Sequence, residues 1–89
     1  MLPVRPTSKF KPDLKKAAKQ NRDLKKLRQI LEQLSIPEPL PSKFKDHKLK
    51  GEWIDFRECH IESDWLLIYT ISDFELRPVR LGTHSELFD

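Results

Sequence analysis

Three histidines and one aspartate are the residues of this chain whose chemistry best suits acid–base catalysis. His47, His60 and His84 lie outside the predicted helices and beside polar neighbours, and Asp64 lies at a predicted turn. Imidazole is the side chain that most readily exchanges protons near neutral pH, and a carboxylate bonded to it fixes its orientation. The four residues therefore predict proton-transfer chemistry if the fold brings them together, and unconnected surface histidines if it does not.

Metal binding and nucleophilic catalysis have weaker support in the sequence. Cys59 and His60 are adjacent in a predicted strand, so their side chains point to opposite faces and make poor co-ligands. The C-x-x-C and H-x-x-x-H spacings typical of zinc sites do not occur in the sequence. No motif marks Cys59, the one cysteine, as a nucleophile, so we predict that it is a small core residue. The sequence therefore predicts no bound metal and no cofactor.

The first half of the chain predicts two amphipathic helices. Thr7 and Ser8 are the candidate N-caps of the first helix, and Asn21 ends it. The second helix is predicted over residues 22–34. Apolar residues recur at helical spacing along both helices, at Phe10, Leu14, Ala17, Ala18, Leu24, Leu27, Ile30, Leu31 and Leu34. The short joint between the helices predicts an antiparallel hairpin whose lysines face outward.

Prolines shape the segments on either side of the helices. Residues 2–6 include Pro3 and Pro6, and because proline cannot donate to a β-ladder, this segment predicts a short edge strand. Residues 36–41 contain three alternating prolines, which exclude a helix and favour an extended, stiff connector.

The second half of the chain has the period of β-strands. Residues 65–71 are continuously apolar, as expected of a central strand covered on both faces. Residues 74–81 predict a further strand with a bulge or a local edge at Pro78, and a shorter strand is plausible near residues 48–53. Residues 56–62 alternate between two faces, one with Phe56, Glu58, His60 and Glu62 and the other with Arg57, Cys59 and Ile61. We predict turns at residues 63–64 and 72–73, a C-terminal helical turn at residues 85–88, and an α+β fold with an antiparallel sheet.

Charge is divided unevenly along the chain. Residues 1–50 contain 14 lysines and arginines against 5 acidic residues, residues 51–89 contain 3 against 9, and the net charge is +3. A basic half indicates a polyanionic partner, most commonly nucleic acid, although solvated lysine-rich helices give the same pattern. The 89 residues include one cysteine and no apolar run near the ~20 residues of a membrane span. We therefore expect one cytoplasmic domain with no membrane partner.

Three blocks of the sequence resemble the YafQ branch of the RelE/ParE toxin superfamily. They are residues 46–53 (DHKLKGEW), 57–69 (RECHIESDWLLIY) and 81–88 (LGTHSELF), and the resemblance extends over the whole chain. It implies a single RelE-like domain over residues 1–89, in which a helical hairpin packs on an antiparallel sheet in the order β-α-α-β-β-β(-β). Ser63 departs from the family pattern, where a proline often precedes the aspartate.

The resemblance also implies an activity. It implies a ribosome-dependent, metal-independent endoribonuclease that cleaves translated mRNA, the toxin of a type II toxin–antitoxin system. The catalytic residues of the family map onto His47, His60, Asp64 and His84, with Phe88 as an auxiliary residue, and Glu58 matches a position where a carboxylate also occurs in the family. Lys48 and Lys50 are predicted to contact RNA phosphates, so the predicted substrate-binding residues are Phe88, Lys48, Lys50 and Glu58. Attack of an RNA 2′-OH on its own phosphate needs a base, an acid and a positive charge, and histidines can supply all three.

The partners implied by the resemblance are a cognate antitoxin of the DinJ/RelB type, the 70S ribosome and its mRNA. Operator DNA would be bound only through the antitoxin complex. The main alternative is a ParE-like toxin, which shares the fold but binds DNA gyrase and does not cut RNA. A gyrase binder would not need the four residues His47, His60, Asp64 and His84, so their presence in the sequence favours the nuclease.

Overall fold

Two helices precede a four-stranded antiparallel sheet and a short C-terminal helix in the computed structural model, which describes residues 1–36 and 38–88. The sheet has the strand order β1-β2-β3-β4. The elements in chain order are α1 (Phe10–Lys19), α2 (Leu24–Ser35), β1 (His47–Lys48), β2 (Arg57–Glu62), β3 (Trp65–Ser72), β4 (Glu75–Gly82) and α3 (His84–Phe88). The predicted α+β class, with an N-terminal helical pair on an antiparallel sheet, is confirmed.

Both helix starts differ from the sequence-based expectation, and α2 starts at Leu24, two residues later than predicted. The Thr7 hydroxyl donates to the Val79 carbonyl at 3.2 Å and does not cap α1, so that prediction was wrong. The physical reason is that the N-terminal segment lies along β4, where the Thr7 N–H also donates to the Pro78 carbonyl. At α2, the Asp23 carboxylate accepts from the Lys25 N–H at 3.1 Å and caps the helix.

The sheet separates two apolar clusters. On the helix side, α1 and α2 bury Phe10, Ala17, Leu27, Ile30 and Leu34 against Cys59, Ile61, Trp65, Leu67 and Tyr69. On the opposite face, Leu66, Ile68 and Leu87 form a smaller cluster with Leu49, Trp53, Phe56 and Val79. Cys59 is fully buried, which confirms its predicted place in the core, and burial raises the pKa of its thiol. The lysines of both helices are exposed, as predicted.

Irregular pairing moves several residues from their predicted positions. A bulge between His60 and Glu62 turns Glu62 to the helix side of the sheet, where it pairs with Lys26 of α2 and with Arg22, which precedes α2. The predicted shared face of Glu62 and His60 was therefore wrong. The short strand expected near residues 48–53 contains only His47–Lys48, because a 3-10 turn occupies Gly51–Trp53. The β3–β4 turn lies at Asp73 and Phe74, which both have positive φ, one residue later than predicted.

The proline segments agree in part with their predictions. The N-terminal segment makes one parallel bridge to β4, between Val4 and Leu76, which is less than a full edge strand. The β3–β4 register shifts between Ile68 and Tyr69, opposite Pro78, as expected of a bulge. Pro37 lies outside the described residues, so the predicted stiff connector is untested there. Within the described parts of the chain, no helix has the length and apolar character needed to cross a bilayer.

Candidate active site

The three histidines that the sequence singled out meet on one face of the sheet, around the carboxylate of Glu58. The Nε2 atoms of His60, His84 and His47 lie 3.2, 3.9 and 4.0 Å from the same atom, Glu58 Oε1. The His60 ring lies between the other two, with its centroid 6.4 Å from that of His47 and 5.7 Å from that of His84. Three imidazoles from three distant stretches of chain therefore share one small patch, centred on a buried carboxylate.

His47 reaches this patch from β1, a strand of only two residues. It pairs with Glu58 across the β1–β2 ladder, which places the two side chains on the same face. Its Nδ1 lies 2.6 Å from the backbone carbonyl of Lys45. Because a carbonyl oxygen can only accept, Nδ1 carries a proton, and in the neutral ring Nε2 is then free of one.

His84 is the first residue of α3 and is held by Asp64 from the β2–β3 turn. Asp64 Oδ1 accepts from the His84 backbone N–H at 3.1 Å and from its ring Nδ1 at 3.0 Å. These two hydrogen bonds hold the pKa of the Asp64 carboxyl below its usual value. The carboxylate fixes the ring orientation and leaves Nε2 facing Glu58.

A capping box holds α3, and with it His84, in place. The Thr83 N–H donates to Glu86 Oε1 at 2.8 Å, and the Glu86 N–H donates to the Thr83 hydroxyl at 3.2 Å. The second Glu86 oxygen pairs with Lys16 of α1. Gly82 allows this arrangement, because a Cβ there would lie 2.9 Å from Glu86 Oε1. The predicted C-terminal helical turn is thus confirmed, beginning at His84.

Glu86 predicts an acid-sensitive contribution to stability. The Lys16 ammonium, followed by the Thr83 N–H, lowers the pKa of Glu86 below its usual value of 4.5. A lowered folded-state pKa stabilises the fold at pH above that usual value, and the gain is lost as pH falls through the folded-state pKa. At neutral pH the free energy of unfolding of wild type should exceed that of Glu86→Gln by about 0.5 kcal/mol. The difference is small because solvent screens the ion pair with Lys16 and because glutamine preserves the cap.

The measurement is urea unfolding of wild type and Glu86→Gln from about pH 7 down to about pH 3, with a decreasing difference in unfolding free energy expected. Glu52→Gln, which removes an exposed carboxylate from the 3-10 turn, is the matched control. A difference that stays constant or grows on acidification would contradict the role assigned to Glu86.

Glu58 differs from the expectation of a substrate-binding residue because it is only 3% exposed. Its contacts are with the imidazoles, so any effect on a substrate must pass largely through them. Among the described residues, Glu58, His60 and His84 each offer one ligand atom, and these three atoms lie within 4.8 Å of one another. Two imidazole nitrogens and one carboxylate oxygen form a donor set that fits a divalent transition-metal ion.

Of the other predicted substrate-binding residues, Phe88 lies beside this patch. Phe88 is 39% exposed, and its ring centroid lies 6.2 Å from that of His84 and 5.8 Å from that of Trp53. Lys48 and Lys50 are exposed on the segment that follows His47. The aromatic ring beside the imidazoles suits a nucleic-acid base, and the two exposed cations suit phosphate contacts. Lys48 follows His47 directly in β1, so its side chain points to the opposite face of the sheet.

Sequence reasoning missed the groups that anchor the segment before His47. Asp46 Oδ1 accepts a 2.6 Å hydrogen bond from the Tyr69 hydroxyl and a 3.2 Å hydrogen bond from Arg57 Nε. Burial, and then this acceptor, raise the pKa of Tyr69. Burial opposes the charge on Arg57, but its hydrogen-bonded neighbours still raise its pKa. Tyr69 was predicted only as part of a buried strand, and no local spacing indicates this contact.

Comparison with known proteins shows similarity over nearly the whole chain. Residues 2–89 match the family model described as bacterial toxin of type II toxin–antitoxin system, YafQ. The mRNA interferase toxin YafQ of Escherichia coli K12 is 41% identical over 83 residues, which cover 92% of this chain and 90% of that protein.

Solved structures show the same similarity in three dimensions. The E. coli DinJ–YafQ toxin–antitoxin complex contains a chain that is 39% identical, with a TM-score of 0.88 and coverage of 97% of this chain and 96% of that one. A metal-bound toxin from Helicobacter pylori is 48% identical, with a TM-score of 0.92 and coverage of 99% of this chain and 100% of that one.

Proposed function

The chain belongs to the YafQ family of bacterial toxins from type II toxin–antitoxin systems, and from this premise we propose that it is an mRNA endonuclease that cuts translated messages on the ribosome by histidine acid–base catalysis. The observation that carries the proposal is the convergence of three imidazole Nε2 atoms on Glu58 Oε1. The whole chain would act as one toxin domain, and a cytoplasmic location follows from its substrate.

The proposed reaction is attack of the RNA 2′-oxygen on the adjacent phosphorus. The 2′-O–P bond forms, the P–O5′ bond breaks, and the products are a 2′,3′-cyclic phosphate and a 5′-hydroxyl. His47 is favoured as the base, because the Lys45 carbonyl orients its Nδ1 proton away and leaves Nε2 to accept the 2′ proton. His84 would be the acid that protonates the departing 5′-oxygen, since Asp64 holds its ring through Nδ1 and leaves Nε2 available for the transfer.

His60, held by Glu58, would stabilise the negative charge that develops on the phosphorane. His60 lies between the other two rings, where a protonated imidazole can stabilise the negative phosphorane. Glu58 would orient His60, because its oxygen lies 3.2 Å from His60 Nε2. Phe88 would stack on a base next to the scissile phosphate and so hold the message in register.

The proposal does not require a metal ion. Proton transfer uses the Nε2 lone pairs of the same imidazoles that a metal would occupy. The H. pylori relative is a metal-bound toxin, and an ion held by Glu58, His60 and His84 would compete with catalysis. Cleavage should therefore persist with a chelator selective for transition metals at constant Mg²⁺, which the ribosome needs. Loss of cleavage on chelation, restored by one added metal, would contradict metal independence.

Ribosome binding is proposed to use phosphate contacts from exposed lysines, including Lys48 and Lys50. We expect Lys48→Gln combined with Lys50→Gln to flatten the dependence of log affinity on log salt by about one unit per lost contact. The measurement is ribosome affinity at several KCl concentrations. Arg77→Gln, which removes an exposed cation from β4, is the control. An unchanged slope in the double variant would exclude these two lysines from the interface.

The antitoxin is proposed to be a small protein of the DinJ type. E. coli YafQ forms a complex with DinJ, and this chain has the same fold over nearly the same length. A segment of the antitoxin that folds onto this toxin would block its access to the ribosome. Operator DNA would be bound only through the antitoxin in that complex.

The proposed function is tested by mapping RNA ends in a purified translation reaction. The protein should create new 5′ ends within a translated message and none in the same message when initiation is blocked. A ParE-like protein would give no new ends and would inhibit gyrase supercoiling instead. If folded protein in the reaction creates no new 5′ ends, the proposal is overturned, whether or not the protein inhibits gyrase.

A further inference from the structure

The segment that carries His47 has few connections to the rest of the sheet. β1 contains two residues and pairs with β2 through His47 with Glu58 and Lys48 with Arg57. On its N-terminal side, Lys45 has a left-handed backbone with φ of 50°, a conformation that is uncommon for a side chain of this type. Its carbonyl is the acceptor that orients His47 Nδ1. The position of His47 therefore depends on the contacts that hold residues 45 and 46.

Asp46 provides the anchor, on the side of the sheet away from the histidines. Tyr69 belongs to the buried cluster beneath the helices and is 1% exposed. Its hydroxyl donates to Asp46 Oδ1 at 2.6 Å, and Arg57 Nε donates to the same oxygen at 3.2 Å. Arg57 and Tyr69 face each other across the β2–β3 ladder, so both donors belong to the two central strands of the sheet.

We propose that Tyr69, Asp46 and Arg57 form a clamp that positions His47 for catalysis, with Tyr69 and Asp46 as positioning residues that do not touch the RNA. The inference rests on the proposed function, because it assumes that His47 acts in RNA cleavage. Asp46 and His47 are consecutive residues whose side chains point to opposite faces of the sheet. Contacts that fix Asp46 on the helix side of the sheet therefore also fix the His47 ring on the opposite face, together with the Lys45 carbonyl that orients the ring.

The first test is Tyr69→Phe, which removes one hydroxyl and keeps the buried ring. We expect kcat for ribosomal mRNA cleavage to fall by about 10–100-fold, with KM for programmed ribosomes nearly unchanged, because small misplacements of a catalytic group have effects of that size. Ser35→Ala is the matched control, since it also removes a buried hydroxyl with one hydrogen bond, 2.7 Å from the Glu32 carbonyl. The control should cleave like wild type.

A second readout separates positioning from a general loss of stability. The Leu49 N–H donates to the Phe56 carbonyl just after β1, whereas the Leu76 N–H donates to Pro3 at the far edge of the sheet. Tyr69→Phe should accelerate hydrogen exchange at Leu49 much more than at Leu76, because the clamp acts locally. Asp46→Asn, which keeps an acceptor for Tyr69, should retain more activity than Asp46→Ala.

The outcomes distinguish the clamp from the function on which it rests. If wild type cuts no message, the nuclease proposal fails, and the exchange experiment still tests whether the clamp holds β1. If wild type cuts and Tyr69→Phe cuts equally well, the clamp is overturned, whatever the exchange rates. Equal acceleration of exchange at Leu49 and Leu76 would also overturn it, because the effect would then be global.

Discussion

Replacing His84 with asparagine is expected to lower the single-turnover rate of mRNA cleavage by about 10³-fold, within the usual range of one acid–base group. The asparagine amide can donate to Asp64 as the His84 Nδ1 does now. The N-terminus of α3 and Phe88 should therefore stay in place, while the proton for the departing 5′-oxygen is lost. The measurement is the cleavage rate on programmed ribosomes with toxin in excess.

The comparison variant for this experiment is His60→Ala, which tests a different ring of the same cluster. It should reduce cleavage to a similar extent, because the phosphorane would lose its stabilising charge. His84→Asn should unfold at a urea concentration close to that of wild type, since His84 is exposed. His60→Ala should unfold at a lower urea concentration, because it removes the 3.2 Å partner of the buried Glu58 carboxylate. Full cleavage by both variants would refute the assignment of these histidines to catalysis.

Glu58→Gln is expected to reduce the same rate by about 10–100-fold, the usual effect of losing a carboxylate that orients a catalytic histidine. Glutamine preserves the volume of this buried side chain but removes the charge that the three imidazoles share. KM should change little, because Glu58 is too buried to make the main contacts with RNA. The measurement is therefore kcat and KM determined separately, with kcat expected to fall and KM to stay nearly constant.

Glu62→Gln is the matched control for Glu58. It removes a carboxylate from the same strand, but one whose ion pairs are with Arg22 and Lys26 on the helix side of the sheet. This variant should cleave at the wild-type rate. A rise in KM alone for Glu58→Gln would instead support direct substrate binding, and wild-type kinetics would exclude Glu58 from the site.

The face of His60 could be predicted because a regular strand period applies there. Cys59 and His60 are adjacent in a strand, and the structure places the thiol in the core and the imidazole on the opposite face. The same reasoning failed at Glu62 because a bulge reverses the alternation, and the sequence carries no clear sign of it. Convergence of three distant segments followed only from the family resemblance.

Two parts of the site show different limits of sequence reasoning. Thr83 and Glu86 have the spacing of a capping box, so this signal was present in the sequence and was missed. The contact between Tyr69 and Asp46 joins residues 23 positions apart, and it depends on the register of three strands. No local pattern reports such a contact, because it exists only after the sheet has formed.

The most direct test of the account is cleavage of a message that carries a single 2′-deoxynucleotide at the mapped cut site. The proposed mechanism uses the 2′-OH of the RNA as its nucleophile, so we predict that the substituted message stays intact at that site. The matching all-ribose message should give a 2′,3′-cyclic phosphate end. Cleavage of the 2′-deoxy message at the same site and rate would contradict the mechanism, because an external nucleophile would then be attacking the phosphate.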